Sequence, residues 1–331
     1  MSRIKDWFLL FRPWSYTATL VPFLVGGVGA IGAYPRCEHA FARWLLGLFA
    51  GLLFQATVNL LNTWGDERSG VDAVPGAIRT TPQVHEGKVS MRAIFSVAAC
   101  CLVLAVAIGV SLCFYRVKMP PEYLGSWEFC TPLFVAGVIG AFGSINYSTG
   151  IKFKYHGLGV PFVSFLMGPL EVFVAYAIAA PNEVRGVPSE IAIICLIVFL
   201  TALPVAFLVG AIMHGNDMRD IPSDRAAGIV TLASRLGSRR ALIYYCFCHV
   251  APYVLVAALT VVVCFLGDGC DGKAGLCLLP LLAYPLSART MRRAVKVYRD
   301  NPASPAWRGL ERDTGLVHLV FGVLYAAAVL I

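Results

Sequence analysis

The sequence predicts an all-α integral membrane protein, with about nine transmembrane helices in a single domain that covers residues 1–331. Composition is the first reason, because 58% of the residues are hydrophobic and only 14% are charged, whereas soluble domains average roughly 25% charged residues. The second reason is that apolar blocks fill the whole chain without a polar linker between them. Most blocks reach the roughly 20 residues that a helix needs to cross a bilayer.

Nine apolar blocks are predicted to be the spans. They lie approximately at residues 17–33, 43–64, 91–115, 129–150, 157–180, 190–213, 240–266, 274–290 and 314–331. The eighth and ninth blocks are near the short limit, so eight spans is the alternative if one of them lies in the interface. The first block lacks a small-residue cleavage site, and Gly26, Gly27 and Gly29 within it indicate close helix packing rather than a signal peptide.

The distribution of basic residues predicts the orientation. Most of the 27 Lys and Arg residues fall in the N-terminal segment and in every second connection after it. Cytoplasmic loops carry such an excess, so we expect a cytoplasmic N-terminus and, with nine spans, a C-terminus on the other side. The net charge of +8 does not indicate nucleic-acid binding, because the basic residues lie in short loops between apolar blocks. Arg289 to Arg299 have no acidic motif nearby and are interpreted as membrane anchoring.

Two acidic motifs follow spans two and six, and therefore share the cytoplasmic side. They are "NLLNTWGDERSGVD" (59–72) and "GNDMRDIPSDRAAGIVTLASRLG" (215–237). Asn62 and Asp66 are four residues apart, and the second motif repeats this spacing from Asn216 onward. Residues four apart share one face of a helix. The motifs are therefore predicted to direct oxygen ligands into one shared space.

Clustered carboxylates without His or Cys partners are typical ligands of hard cations, and of Mg²⁺ in particular. The predicted metal ligands are Asn62, Asp66, Asp72, Asn216, Asp217, Asp220 and Asp224. Mg²⁺ commonly takes one or two carboxylates and completes its shell with water and substrate phosphate. Basic residues on the same side, Arg79, Lys152, Lys154 and Arg219, are the candidates for binding such a phosphate. Ordinary anchoring remains the alternative for Lys152 and Lys154.

These motifs resemble those of the UbiA superfamily of intramembrane prenyltransferases, and within it the naphthoate-prenylating MenA branch and the animal branch that forms vitamin K2. The matching residues are Asn62, Asp66, Gly70 and Asp72 in the first motif, and Asn216, Arg219, Asp220, Asp224, Gly228, Thr231 to Ala233 and Leu236–Gly237 in the second. The stretches "YSTGIKFKYHGLG" (147–159) and "FLMGPLEVFVAY" (165–176), Arg12–Pro13 and Arg79 also fit. The similarity runs from about residue 7 to the last span.

The resemblance implies a helical bundle with a central cavity and Mg²⁺-dependent transfer of a polyprenyl chain from an allylic polyprenyl diphosphate to a quinol-type aromatic acceptor. It assigns the catalytic role to Asp66, Asp72, Asp220 and Asp224. Diphosphate binding falls to Arg79, Lys152, Lys154 and Arg219. Trp64, Tyr147, His214 and Asn216 are candidates for lining the pocket, against a structural or interface-anchoring role for the first three.

Departures from the family pattern bear on the acceptor. Thr63 follows Asn62, and the later acid of the first motif stands at Asp72, which favours the naphthoate branch over benzoate-type enzymes. Asp217 stands where Asn is common. The "GIVTLA" stretch (228–233) is closer to the animal branch than to bacterial MenA. The acceptor therefore stays open between 1,4-dihydroxy-2-naphthoate and menadiol, within menaquinone or vitamin K2 biosynthesis.

Two alternatives remain. One is a UbiA-type enzyme that prenylates 4-hydroxybenzoate, haem or a chlorophyll precursor. The other is a membrane transporter, although its acids would be expected nearer mid-span. The protein is expected among the lipids of a bacterial inner membrane or of an organelle membrane, with its active site on the cytoplasmic side. Prenyl chain length, oligomeric state and the disulfide pairs Cys113/Cys130 and Cys270/Cys277 are left open.

Overall fold

The computed structural model describes residues 3–69, 82–117, 127–181, 188–266, 274–300, 307 and 309–330. Within these ranges the chain is helical, and its only β-type pairing is an isolated bridge between His156 and Val230. The helices are α1 (Arg3–Leu10), α2 (Thr17–Ala33), α3 (Ala40–Ser69), α4 (Pro82–His85), α5 (Met91–Val117), α6 (Trp127–Asn146), α7 (Gly159–Phe165), α8 (Glu171–Ala179), α9 (Pro188–Ala226), α10 (Leu232–Leu266), α11 (Ala274–Cys277), α12 (Tyr284–Asp300) and α13 (Leu310–Leu330). A π-helical turn, Leu166–Leu170, joins α7 to α8.

Seven helical segments of the described chain are long and apolar enough to cross a membrane. They are Pro13–Ala33, Ala40–Arg68, Met91–Cys113, Gly159–Ala179, Ile191–Ala226, Leu232–Phe265 and Leu310–Leu330. An eighth apolar segment, Leu133–Asn146 of α6, is shorter. These segments correspond to eight of the nine predicted blocks, so the all-helical membrane architecture is confirmed. The count of nine spans is not.

The block predicted as span eight, residues 274–290, is not one continuous helix. It is divided into α11, a 3₁₀ turn from Leu279 to Ala283, and the start of α12. Pro280 lies in the first positions of that turn, where a residue without an N–H can begin a new helical segment but cannot continue the previous one. α12 buries small or β-branched residues such as Ser287 and Ala294. Apolar content alone therefore predicted a continuous spanning helix that residues 274–290 do not form.

α2 lies at the centre of the bundle and contacts α3, α8, α9 and α13. Its glycines permit this, since a Cβ at Gly26 would collide with the carbonyl oxygen of Val172, and one at Gly27 with the ring of Trp44. Small residues let helix backbones approach closely in membranes, and the predicted packing role of these two glycines is confirmed. Many large apolar side chains on the outside of the bundle, such as those of Val103 and Phe265, are exposed.

Helices α3 and α9 extend beyond the apolar blocks from which they were predicted. α3 continues to Ser69 and α9 to Ala226, so Asn62 and Asp66 of the first motif and Asn216 to Asp224 of the second lie on the ends of spanning helices rather than in loops. This geometry places Asn216, Asp220 and Asp224 on one helix at the four-residue spacing of a shared face.

The open question of the disulfides is partly resolved. Cys264, near the end of α10, is disulfide-bonded. Cys277 carries a free thiol, so Cys270/Cys277 is not a disulfide pair. The Cys113/Cys130 pair involves the side chain of Cys130, which lies outside the described residues.

Candidate active site

The first motif is built on the end of α3 and contacts a 3₁₀ turn formed by Phe153 to Tyr155. Lys154 Nζ donates to both carboxylate oxygens of Asp66 at 3.0 Å and to Asn62 Oδ1 at 3.2 Å. The Tyr155 hydroxyl donates to Asp66 Oδ1 at 2.7 Å. Asn62 and Asp66 are buried. The structure thus brings a charged amine onto the face that both motif residues share.

The backbone around this turn explains why Lys154 points at α3. Lys152 adopts a left-handed conformation with φ 58°, and Gly150 and Gly157 also have positive φ. Lys154 N–H donates to the Tyr147 carbonyl at 3.0 Å. Gly65 of α3 permits the close approach, since a Cβ there would lie 2.8 Å from the Ser148 carbonyl oxygen.

Lys154 is positively charged in this environment. Burial by itself would lower the pKa of Lys154, but the negative charge of Asp66 and the hydrogen bond to it raise the pKa above its usual value. Since the net shift is upward, the amine stays protonated at neutral pH. The site therefore holds a permanent cation beside the first motif.

The second motif is organised by Arg219 on α9. Its Nε and Nη2 donate to the two oxygens of Asp220 at 2.7 and 2.6 Å, and its Nη1 donates to Asn216 Oδ1 at 3.2 Å. Nη1 also reaches Glu311 Oε1 on α13 at 3.5 Å. Such two-point pairing is geometrically specific. Arg219 therefore holds the motif against the last spanning helix.

The two motifs face each other across Lys154. Asp224 of α9 lies within electrostatic range of both Asp66 and Lys154, and Asp217 within range of Lys154. Asp224 accepts a hydrogen bond from Thr231 Oγ1 at 3.1 Å. Asn62 of the first motif and Asn216 and Arg219 of the second also line one cavity, so residues of both motifs meet in one space.

A cavity of about 310 Å³ opens from this polar end into the bundle. Its polar end is lined by Arg12, Asn62, Tyr147, Asn216, Arg219 and Glu311. Beyond them the lining is mostly apolar and reaches Leu112, Leu133 and Ile178, although Gln55 and Glu171 also lie in it. A cavity with convergent polar groups at one end and apolar walls elsewhere suits an amphipathic ligand whose charged head stays with the two motifs.

Tyr147, Trp64 and Lys152 were also predicted to lie at the site, and the structure places only Tyr147 in the cavity. Tyr147 is buried and lines the cavity, and burial raises the pKa of its hydroxyl above the usual range. Trp64 and the exposed Lys152 line a separate groove next to α5, where the Trp64 ring stacks on Phe95 at 5.5 Å.

His214 is buried between α9 and α10. Its Nε2 lies 2.9 Å from the Ala241 carbonyl oxygen, and its ring meets Tyr244 edge-on. His214 is not among the residues that line the cavity, and this packing favours its structural role. Asp72 and Arg79, with Gly70, lie outside the described residues.

Glu311 was not noted in the sequence, and Arg12 and Tyr155 were noted only within stretches that match the family pattern, without a role at the site. Glu311 is buried and pairs with Arg219, Tyr155 holds Asp66, and Arg12 lines the polar end of the cavity while donating to Thr63 Oγ1 at 3.2 Å. Glu311 had one usable signal, an acid in the first turn of a spanning helix. Ionisable residues within such segments are costly and mark functional sites.

The predicted metal ligands have the chemistry that Mg²⁺ prefers, but they do not form a complete cage for an ion. The described members, Asn62, Asp66, Asn216, Asp217, Asp220 and Asp224, offer only oxygen donors, which hard cations prefer. Within the described ranges, no three His, Cys, Asp or Glu side chains are close enough to hold an ion by themselves. Mg²⁺ does not require such a cage when substrate phosphate completes its shell. A Mg²⁺ ion at these residues would therefore need substrate phosphate or water to complete its shell.

Comparison with known proteins assigns the chain to a family. The profile of the UbiA prenyltransferase family matches residues 19–308. The chain belongs to the UbiA prenyltransferase family. Curated relatives of this UbiA member include UbiA prenyltransferase domain-containing protein 1 of Homo sapiens, 28% identical over 338 residues, which cover 100% of this chain and 85% of the human protein. The Drosophila melanogaster homologue is 27% identical over 98% of this chain and 79% of its own length.

Solved structures agree with the UbiA fold. A UbiA homologue from Archaeoglobus fulgidus, bound to GPP and Mg²⁺, superposes with a TM-score of 0.58 at 18% identity, over 98% of this chain and 100% of the archaeal one. The same homologue bound to DMAPP and Mg²⁺ gives a TM-score of 0.56. At this identity the match establishes the shared fold.

Proposed function

We propose that this UbiA family member catalyses Mg²⁺-dependent transfer of a polyprenyl chain from an allylic polyprenyl diphosphate to a naphthoquinol-type acceptor, 1,4-dihydroxy-2-naphthoate or menadiol, in menaquinone or vitamin K2 biosynthesis. The observation that carries the proposal is a cavity lined by Asn62 of the first motif and by Asn216 and Arg219 of the second, which extends into a mostly apolar interior. Its polar end suits a diphosphate with its ions, and its apolar walls suit a prenyl tail.

The reaction can be written from the chemistry of the substrates. The bond between C1 of the prenyl chain and the diphosphate oxygen breaks, and its electron pair leaves with the diphosphate. An electron-rich ring carbon of the acceptor then forms a bond to C1. A proton leaves that carbon when the acceptor is menadiol, and carbon dioxide leaves when it is the naphthoate.

The residues of the chain take distinct parts in this proposal. Asn62, Asp66, Asp220 and Asp224 would hold Mg²⁺, with Asp72, Asn216 and Asp217 completing the predicted set. Bound Mg²⁺ supplies Lewis-acid neutralisation of the leaving diphosphate. Lys154 and Arg219 add fixed positive charge where negative charge develops, and such preorganised charge is a major source of rate enhancement.

The location of the site supports an orientation. Both motifs lie on helix ends, where polar groups cost least in a membrane. The excess of basic residues on the same side favours the cytoplasmic face. We therefore place the chemistry at the cytoplasmic surface of a bacterial inner membrane or an organelle membrane, with the prenyl tail in the bundle.

The direct test incubates the purified protein, in detergent or lipid, with geranylgeranyl diphosphate and Mg²⁺ and with each acceptor in turn. The panel includes 1,4-dihydroxy-2-naphthoate, menadiol and 4-hydroxybenzoate, and products are identified by mass spectrometry. We expect prenylated product from a naphthalene acceptor. A folded protein that prenylates none of them would refute the enzyme assignment, and product from 4-hydroxybenzoate alone would refute the acceptor class.

A further inference from the structure

Glu171 is an acidic residue inside a membrane-spanning segment, far along the sequence from both motifs. It is the first residue of α8, lies within the span Gly159–Ala179 and lines the cavity. Its Oε1 accepts from Thr19 Oγ1 at 3.3 Å. Its Oε2 is buried and has no hydrogen-bond partner within the described chain. An ionisable side chain in a membrane segment marks a functional site unless it is fully paired.

The groups around Glu171 leave it short of donors. Thr19 Oγ1 also lies 3.4 Å from Gln55 Oε1, but a hydroxyl has a single proton and cannot donate to both oxygens. The Gln55 amide nitrogen is already directed at Ser15 Oγ (3.2 Å) and Asn59 Oδ1 (3.4 Å). Among the described salt bridges, none involves Glu171. Glu171 Oε2 is therefore left unsatisfied next to a cavity that Glu171 and Gln55 line.

A polar ligand in the cavity can supply the missing partner. A prenyl tail has no polar hydrogen and would leave Glu171 Oε2 unpaired, at the full desolvation cost of a buried polar group. A phenolic hydroxyl can donate to an ionised carboxylate and can also accept from a protonated one. A carboxylate on the ligand has no proton to donate to Glu171 Oε2, and none of the described salt bridges places a cation at Glu171 to neutralise a buried charge there.

We propose that Glu171, with Thr19 and Gln55, forms a subsite that binds a hydroxyl group of the aromatic acceptor and disfavours acceptors that carry a carboxylate. This inference rests on the proposed function, and it chooses between the two acceptors left open there. Selection against an unwanted ligand by an unpaired charge or polar group is a general source of specificity. The preferred acceptor is then a 1,4-diol of naphthalene without a ring carboxylate.

The test compares 1,4-dihydroxynaphthalene with 1,4-dihydroxy-2-naphthoate, which differ only by the carboxylate. Two variants are used, Glu171→Leu, which removes every polar atom, and Glu171→Gln, which keeps hydrogen bonding and removes the charge. The control is Thr57→Val, which removes a buried hydrogen bond from α3 to the Ala98 carbonyl of α5 outside the cavity. Anaerobic equilibrium dialysis of each ligand, without Mg²⁺ or prenyl diphosphate, measures binding, and steady-state kinetics measure turnover.

We expect the wild-type protein to bind and use the diol in preference to the naphthoate. Glu171→Leu should weaken diol binding by about tenfold, the size of one net hydrogen bond, with the KM for prenyl diphosphate unchanged. Glu171→Gln should keep the diol and gain the naphthoate. Thr57→Val should change neither preference.

Three outcomes would overturn the subsite. They are equal discrimination in the wild type and Glu171→Gln, unchanged diol binding in Glu171→Leu, or an effect of Glu171→Leu confined to the prenyl diphosphate. Absence of product from both acceptors in the folded wild type would instead refute the proposed function. The dialysis arm would still decide whether Glu171 binds the hydroxyl.

Discussion

The contact between Lys154 and Asp66 gives the sharpest prediction about the site. Lys154 Nζ occupies both oxygens of Asp66 at 3.0 Å, and an ion that binds Asp66 must displace it. Because each carboxylate oxygen has two lone pairs, displacement can be partial, and in the proposed reaction the amine stabilises the departing diphosphate. Lys154→Met should therefore slow turnover severely without weakening Mg²⁺ binding, because it removes a competitor for the carboxylate as well as a catalytic charge.

The magnitude follows from the geometry. Two unit charges 3 Å apart attract by about 5 kcal/mol at an effective dielectric constant of about 20, although the desolvation of both partly buried groups offsets much of this. For turnover, removal of one preorganised charge typically costs a factor of about 10²–10³ in kcat, or roughly 3–4 kcal/mol. Tyr155→Phe is the matched comparison, because it removes only the 2.7 Å hydrogen bond to Asp66. It should cost about tenfold or less.

The assay titrates Mg²⁺ against the initial rate of prenyl transfer for the wild type and both variants. We expect kcat to fall in Lys154→Met while the half-saturating Mg²⁺ concentration stays equal or decreases. Thermal unfolding in the same detergent checks that each variant is folded. The reasoning would be refuted by a kcat within about threefold of wild type, well short of the loss expected from one charge. A strongly increased Mg²⁺ requirement would also refute it.

Four further predictions follow from the same contacts. Asp66→Ala and Asp220→Ala should each abolish turnover and leave expression intact, and activity retained in both would contradict the metal assignment. Lys152→Met should change kcat/KM by less than about tenfold, since its exposed side chain lines the neighbouring groove; a larger loss would place it at the diphosphate. Glu311→Gln should lower kcat by about tenfold, because Arg219 loses a charged partner at 3.5 Å, and an unchanged kcat would show that Asp220 alone positions the guanidinium. EDTA should stop product formation and added Mg²⁺ should restore it; steady turnover in EDTA would argue against ion-dependent chemistry.

The extent of the spanning helices could be predicted only in part. Hydropathy located the apolar blocks, since burial in lipid requires them. It could not show that α9 continues as helix to Ala226, because polar residues such as Asp220 end an apolar block without ending a helix. It also could not show the break before α12, where the backbone effect of Pro280 outweighs the apolar composition.

The candidate site, too, could be predicted from the sequence only in part. Four-residue spacing correctly indicated which motif residues share a helix face, because this follows from helix geometry alone. The partners Tyr155 and Glu311 depend on which helices meet in three dimensions, and they are 89 and 92 residues away from the groups they contact. No local pattern encodes such a contact. The resemblance to a family indicated the chemistry but not these supports.

The bridge between His156 and Val230 has a consequence for how the site tolerates change. Val230 N–H donates to the Tyr155 carbonyl at 3.3 Å, so the segment that carries Lys154 is fastened to the loop that leaves α9. That loop turns at Gly228, whose φ of +69° few other residues adopt. Substitutions of Gly228 would therefore displace Lys154, whose amine neutralises Asp66. They would affect a carboxylate on α3 although this loop is not part of α3. The two halves of the site are therefore linked through the backbone. A substitution in the loop after α9 limits which residues the segment around Lys154 can tolerate.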